Sequence, residues 1–367
     1  MSLVVRPGIL DIAPYVGGES ALAGHQSAIR LASNENPLGA SPAAIEAYRK
    51  LAPELHRYPD GGSNRLREAI AARFGLDPAR IVCGAGSDEL IGLLTRAYAG
   101  PGDEVVYSRH GFLMYPIAAK SVGAVPVAAP ETNLTADVDA LLAAVTPRTR
   151  ILFLANPNNP TGSYLPAEDV ARLRRSLRED ILLVIDAAYA EYVTRNDYEP
   201  GVALVDAGDN VVMTRTFSKI YGLAALRIGW AYCPPAVADV LNRLRGPFNV
   251  GAPGQAAGVA ALADHAHTEK ARAHNAQWLD WFSRQVTALG LVAAPSVGNF
   301  VLVRFPAEPG RDADAAADFL NARGIIPRKM GAYGLADSLR ITIGLESEMK
   351  AVAAALGDFV AQGKGRR

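Results

Sequence analysis

The chain has few cysteines and no excess of charge of either sign. Cys83 and Cys233 are its only cysteines, too few for a disulfide framework or a metal cluster, and metal-ligand spacing is absent. Lysine and arginine number 37, as do aspartate and glutamate, so no positive field favours nucleic acid or an anionic membrane. We expect a cytoplasmic protein that handles the charge of its ligands locally.

Long apolar runs are also missing. No run reaches the roughly 18 residues that a membrane span needs. The segment 1–40 carries Asp11, Glu19, Arg30 and Glu35 without a long apolar stretch, and we expect neither a secretion signal nor an anchor there. What the chain does have is 50% hydrophobic and 20% charged residues, which is typical of a globular enzyme with a large core.

Short β-branched runs alternate with helical periods through the middle of the chain, which predicts a parallel α/β sheet. The strands predicted there are 80–83, 104–107, 125–128, 151–155, 181–186, 211–216 and 228–232. The helices predicted between them are 88–98, 112–122, 136–145, 167–178 and 235–244.

The character of the sequence changes after about residue 265. A long amphipathic stretch at 268–289 precedes predicted strands at 299–305 and 339–343 around a helix at 313–323, which indicates a smaller α+β domain. The predicted organisation is an N-terminal arm with part of the small domain at 1–48, a large domain at 49–265 and a C-terminal small domain at 266–367.

Ligands of open parallel sheets gather at the carboxyl ends of the strands, and one such end is a glycine-rich turn. Residues 84–89 read Gly-Ala-Gly-Ser-Asp-Glu where a strand becomes a helix. Glycine lets backbone N–H groups approach an anion, and a helix N-terminus favours negative charge. The alternative is that Ser87 or Asp88 only caps the helix.

Two further strand ends carry polar groups. Asn159 lies in the loop 156–162, which two prolines and a glycine make rigid; such loops are often only turns. Asp186 ends the most apolar strand, where an unpaired carboxylate is costly. A protonated pyridine nitrogen would neutralise it, and a helix cap or a structural salt bridge is the alternative. Tyr189 follows within reach of the same ring.

The run 215–229 places one lysine among hydroxyls directly after an apolar strand. A lysine amine on a polar turn can condense with an aldehyde cofactor, so Lys219 is a candidate Schiff-base residue. Thr216, Ser218 and Arg227 are donors of the kind a phosphate needs. Pyridoxal 5′-phosphate carries both an aldehyde and a phosphate. The alternative for Lys219 is a solvated surface lysine.

Taken in order, these motifs resemble those of fold-type I pyridoxal-phosphate aminotransferases, and among them the histidinol-phosphate aminotransferase family. The resemblance implies an α/β fold in which a mostly parallel seven-stranded sheet lies between helices, with a smaller α+β domain built from the two termini. It covers nearly the whole chain and is carried by residues 31–39, 57–61, 86–89, 156–162, 186–189, 218–219 and 340–344.

The resemblance implies a role for each matching residue. Lys219 would bond the cofactor aldehyde and move protons, Asp186 would pair with the ring nitrogen, and Tyr189 would bind the ring oxygen together with Asn159. Phe112 would stack on the ring. The phosphate would be held by Ser87 and the backbone of Asp88, by Thr216 or Ser218, and by Arg227, with Tyr58 reaching across a homodimer interface; Gly86 is a further cofactor-binding residue.

The substrate side of the predicted site rests on fewer residues. By resemblance, Arg340 binds the substrate α-carboxylate, and a surface arginine is its alternative. Arg328 and Tyr15 match positions that contact the distal phosphate of histidinol phosphate, and Asn159 also faces the substrate. For Arg328 and Tyr15 the alternative is an ordinary residue at a domain edge.

Two departures from the family pattern bear on substrate preference. The chain has Asp-Ala-Ala-Tyr at 186–189 where the family commonly has Asp-Glu-Ala-Tyr, and Arg-His-Gly at 109–111 where it often has Pro-Pro-Thr. The expected reaction is transfer of the amino group of L-histidinol phosphate to 2-oxoglutarate, in histidine biosynthesis. The alternatives are an aromatic amino acid aminotransferase, a same-fold phospho-amino-acid decarboxylase and, least favoured, a ligand-sensing regulator.

Overall fold

Fifteen strands and twelve α-helices build the described part of the chain, residues 3–24 and 27–364 of a computed structural model. The strands are β1 Ile29–Arg30, β2 Ile81–Gly84, β3 Glu104–Ser108, β4 Val125–Ala129, β5 Glu131–Thr132, β6 Thr135–Ala136, β7 Thr149–Ala155, β8 Leu182–Asp186, β9 Val211–Thr216, β10 Gly229–Tyr232, β11 Val292–Ala293, β12 Phe300–Arg304, β13 Ile325–Ile326, β14 Arg328–Lys329 and β15 Ser338–Thr342.

The helices lie mostly between the strands. They are α1 Pro42–Lys50, α2 Asn64–Phe74, α3 Ser87–Tyr98, α4 Met114–Ser121, α5 Val138–Ala143, α6 Ala167–Ser176, α7 Val202–Ala207, α8 Pro235–Leu244, α9 Ala252–Ala263, α10 His265–Ala288, α11 Ala313–Asn321 and α12 Glu346–Lys364. Within the described ranges, no helix combines the length and the apolar character that a membrane crossing requires.

Seven strands form the large sheet, in the order β2-β10-β9-β8-β7-β3-β4. The contacts β9-β8, β8-β7, β7-β3 and β3-β4 are parallel, and β10 runs antiparallel to both of its neighbours. The mostly parallel seven-stranded sheet is thus confirmed, with each strand within two residues of its predicted bounds. All five residues of β8 are buried, as its apolar sequence indicates for a central strand covered on both faces.

A second, four-stranded antiparallel sheet has the order β11-β12-β15-β14. Helices α10, α11 and α12 pack with it around a separate apolar core. The short strand β1 pairs parallel with β13 and so ties the N-terminal segment to the C-terminal part of the chain. The domain boundaries at 48 and 265 stay a prediction.

Five helices were not predicted from the sequence: α1, α2, α7, α9 and α12. Local signals exist for α1, since the Ser41 hydroxyl accepts the amide of Ala44 and a proline opens the helix. Helix α9 is rich in alanine and glycine and is packed between α1 and α2. It has no polar face, so no helical period marks it in the sequence.

Candidate active site

A cavity of about 380 Å³ opens where the carboxyl ends of the parallel strands meet the small domain. Its lining brings together thirteen of the residues predicted from the sequence, which come from both sheets and from the N-terminal segment. They are Tyr15, Ser87, Asp88, Phe112, Asn159, Asp186, Tyr189, Thr216, Ser218, Lys219, Arg227, Arg328 and Arg340.

Asp186 forms the base of the cavity at the end of β8. Its carboxylate accepts hydrogen bonds from two hydroxyls, Tyr115 Oη at 2.8 Å and Thr214 Oγ1 at 2.9 Å, and not from the lysine or arginine that a structural salt bridge would supply. Burial raises the pKa of Asp186 above its ordinary value, against the effect of these two hydrogen bonds. A cation placed beside it would favour the carboxylate form.

Lys219 lies half-buried at the cavity and is not a solvated surface lysine. Its Nζ donates to the Ser33 carbonyl at 3.2 Å and lies 5.8 Å from the centre of the Tyr189 ring. Burial, and next the positive charge of Arg340, lower the pKa of Lys219 to about 8. A substantial fraction of the amine is therefore neutral near physiological pH, which is the form that attacks a carbonyl.

The glycine-rich turn is shaped to receive an anion. Gly86 has a φ of 92°, and a Cβ built on it would lie 2.2 Å from Asp88 Oδ1 and 2.5 Å from Arg227 Nη2. Gly86 occupies the N-cap position of α3 without a side-chain capping bond, so the alternative that Ser87 or Asp88 caps the helix is wrong. The first amides of α3 remain available to a phosphate.

Three side chains from the run 215–229 gather beside this turn. The Arg227 guanidinium donates to Asp88 Oδ1 at 2.8 Å and to Ser218 Oγ at 3.4 Å. The Thr216 hydroxyl accepts the amide of Ser218 at 3.1 Å. The Asp88 carboxylate accordingly faces Arg227, and the amides of the helix start are the groups left for a phosphate.

Arg340 is a buried arginine of β15, so the alternative of a surface arginine is wrong. Only 6% of it is exposed; Nη2 donates to the Ala32 carbonyl at 2.6 Å and Nη1 donates to Asn159 Oδ1. Among the residues that the structure describes, none is a hydrogen-bond partner of its Nε, and burial lowers the pKa of the guanidinium. A buried donor without a partner is costly, and a carboxylate at this guanidinium would satisfy it.

Tyr15 and Arg328 form the mouth of the cavity, and we call this pair the rim. Tyr15 is 49% exposed and meets the edge of Phe112, with ring centres 6.4 Å apart. Arg328 donates to the Val16 carbonyl at 2.5 Å. The rim thus joins the N-terminal segment to β14 of the small domain.

Four contacts of the site were missed in the sequence. Besides Tyr115 and Thr214 on Asp186, these are the Ser33 carbonyl on Lys219 and Asn34, whose amide donates to Tyr189 Oη at 2.8 Å. The position of Thr214, two residues before Thr216 on one strand, was a usable signal, because alternate residues share a face. Asn34 has a φ of 58°, which no sequence pattern reveals.

Four residues of interest lie outside this cavity lining. Gly86 shapes the turn behind it. Tyr58 is 83% exposed and stacks on Phe248 at 4.7 Å between ring centres. Arg109 is exposed, His110 Nδ1 lies 2.7 Å from Glu131 Oε2, and neither residue lines the cavity.

The donor set fits pyridoxal 5′-phosphate. The buried Asp186 suits a protonated ring nitrogen, Lys219 with its lowered pKa suits an aldehyde, and the open amides beside Arg227 suit a phosphate. Fold and cavity together define a fold-type I, pyridoxal-phosphate-dependent aminotransferase.

The chain belongs to the family of class I and II aminotransferases, which matches residues 26–356. It is 67% identical to the histidinol-phosphate aminotransferase of Paramagnetospirillum magneticum over 355 residues, covering 97% of this chain and 98% of the relative. It is 66% identical to that of Rhodospirillum centenum over 357 residues, at the same coverage.

A solved structure agrees with these relatives. The histidinol-phosphate aminotransferase of Sinorhizobium meliloti in complex with pyridoxal-5′-phosphate has a TM-score of 0.90 and 33% identity to this chain, covering 98% of it and 99% of its own chain.

Proposed function

We propose that this aminotransferase moves the amino group of L-histidinol phosphate to 2-oxoglutarate, giving imidazole-acetol phosphate and L-glutamate in histidine biosynthesis. The observation that carries the proposal is a cavity lined by two arginines, Arg340 at depth and Arg328 at the mouth. Such a cavity suits both the two carboxylates of 2-oxoglutarate and the single phosphate of the donor. The relatives at 66–67% identity bear the same activity in their names.

When bound, pyridoxal phosphate supplies an aldehyde for the substrate amine and a protonated ring that withdraws electrons. Asp186 holds the proton on the ring nitrogen, and the hydroxyls of Tyr115 and Thr214 keep that carboxylate oriented. The amine of Lys219 takes the proton from the substrate Cα and later returns one, because its pKa of about 8 suits both directions.

Substrate placement falls to the small domain. Arg340 binds the α-carboxylate of the amino or keto acid, and Asn159, whose Oδ1 accepts from Arg340, shares the ring oxygen with Tyr189. Arg328 and Tyr15 contact the phosphate of histidinol phosphate.

The enzyme acts as a homodimer in this proposal, with Tyr58 of one subunit at the cofactor phosphate of the other. Support comes from exposed apolar side chains in and after α1: Ile45, Tyr48, Leu55 and Tyr58 are each at least 40% exposed, and Phe248 is 44% exposed. Exposed apolar groups in such number mark a surface for association. Two free, buried cysteines are consistent with a cytoplasmic location.

The test is a half-reaction assay of the purified enzyme with L-histidinol phosphate, phenylalanine and tyrosine, comparing kcat/KM. We expect histidinol phosphate to be preferred by about 10²-fold or more, the discrimination typical of a site built to bind a polar group that the competitor lacks. Equal values for the three donors would overturn the proposal in favour of an aromatic amino acid aminotransferase. Sedimentation of the holoenzyme tests the dimer.

A further inference from the structure

Glu89 is the one ionisable residue of the glycine-rich motif that the proposed function leaves without a role. It is the third residue of α3, half-buried, and its Oε2 accepts the backbone amide of Ala85 at 2.5 Å. Ala85 stands between two glycines, so the turn has little side-chain packing of its own to fix it. The Glu89 carboxylate thus holds the turn from which the first amides of α3 are presented.

The same carboxylate oxygen has a second partner. Asn249 donates its Nδ2 to Glu89 Oε2 at 2.8 Å and to the Cys83 carbonyl at 3.2 Å, and its Oδ1 accepts from Arg245 at 3.2 Å. Asn249 is therefore fixed on both sides of its amide. One carboxylate joins the turn after β2 to the loop after α8.

That loop carries Phe248, one ring of the aromatic pair assigned above to the dimer interface. Phe248, next to Asn249, has a φ of 55° and stacks on Tyr58 at 4.7 Å. A left-handed φ at a bulky residue persists only where its surroundings fix it. The bonds of Asn249 to Glu89 and to Cys83 hold the backbone beside Phe248 in place.

We propose that Glu89 is a positioning residue that couples the phosphate-binding turn to the Tyr58–Phe248 surface. This inference rests on the proposed function, because it takes the turn as the phosphate site and the aromatic pair as a subunit contact. If Glu89 only stabilised the start of α3, its partner Asn249 would have no effect on the cofactor.

The experiment measures the rate at which purified holoenzyme loses pyridoxal phosphate on dilution, by the visible absorbance of the bound cofactor. We expect Glu89→Ala to speed the loss by about tenfold or more, since it removes hydrogen bonds to a charged group. Asn249→Ala should speed it by about threefold, since it leaves the Ala85 bond intact. Glu89→Gln, which keeps an acceptor for Ala85, should restore most of the retention.

Glu168 offers a matched control, because it is an exposed glutamate in the first turn of α6. Glu168→Ala should leave cofactor loss unchanged while removing the same charge from a helix start. Hydrogen exchange of peptide 84–89 in the same variants should rise with Glu89→Ala and stay constant with Glu168→Ala.

The outcomes separate this inference from the proposed function. Cofactor loss unchanged in both Glu89→Ala and Asn249→Ala, in a wild type that binds pyridoxal phosphate, would overturn the coupling alone. A wild type that binds no pyridoxal phosphate would overturn the proposed function first. If Glu89→Ala fails to fold, an unchanged loss rate in Asn249→Ala still refutes the coupling.

Discussion

The base of the cavity and its rim differ in how deeply their residues are buried and in the contacts that hold them. Asp186 and Thr214 are buried residues of neighbouring parallel strands, and the Thr214 hydroxyl donates to the Asp186 carboxylate. Tyr15 and Arg328 are more exposed, and the contacts described for them are an aromatic edge and a backbone carbonyl. Under the proposed function, the chemistry would rest on residues of buried strands, whereas substrate preference would rest on the more exposed residues of the rim.

The largest effect is expected at the base. Lys219→Ala should lower turnover by about 10³-fold or more, because the proton at the substrate Cα loses its carrier. Single-turnover assays with L-histidinol phosphate measure this. Lys270→Ala, an exposed lysine of α10, is the control and should retain full activity. Comparable turnover in both variants would remove Lys219 from the chemistry.

Asp186→Asn tests the second residue of the base. It should keep the cofactor bound but lower kcat by about 10²-fold, since the charge that holds the ring proton is gone. Tyr115→Phe keeps the carboxylate and loses one hydrogen bond, so kcat should fall only by about threefold. An unchanged kcat in Asp186→Asn would place the partner of the ring nitrogen elsewhere.

Arg340, a residue of the small domain, acts on Lys219 through its positive charge. Burial and the charge of Arg340 lower the pKa of Lys219 to about 8. Arg340→Gln removes the positive charge, so the pKa of Lys219 should rise and the neutral amine should appear at higher pH. Uptake of pyridoxal phosphate by the apoenzyme, followed against pH, should shift to higher pH. Arg304→Gln, on β12 at the surface, should not shift it.

At the rim the expected effect is on KM and not on kcat. Arg328→Ala should raise KM for L-histidinol phosphate by about tenfold, the value of one charge-assisted contact, while KM for phenylalanine changes little. Steady-state kinetics with each donor measure the two KM values. An equal rise in KM for the two donors would show that the rim does not distinguish them. Substrate preference would then not depend on the rim.

The base of the cavity could be predicted from the sequence more fully than the rim. The strands of the large sheet could be located because their apolar runs are continuous. Asp186 could be singled out because an unpaired carboxylate at the end of such a strand is costly, and Lys219 because a lysine on a polar turn can condense with an aldehyde. The contact of Tyr115 with Asp186 joins residues 71 positions apart, and it depends on how α4 packs against β3 and β4 of the large sheet. No local sequence pattern predicts a contact between residues so far apart in the chain.

The residues of the rim are harder to identify from the sequence, and the reason is physical. Tyr15 lies in a segment without regular structure, and Arg328 belongs to a two-residue strand, so neither has a periodic context. Resemblance alone suggested them, and their roles stay predictions. The residues of the loop 109–111 depart from the family pattern, which suggested an effect on substrate preference. In the structure, however, His110 lies beside Glu131 and does not line the cavity.

The most direct test of the central claim is to reduce the holoenzyme with borohydride and locate the cofactor by mass spectrometry of its peptides. The account predicts that the added mass lies on Lys219, in the peptide that also contains Ser218, and that Lys219→Ala carries none. Cofactor mass on another lysine in the wild type would contradict the assignment of this cavity as the active site.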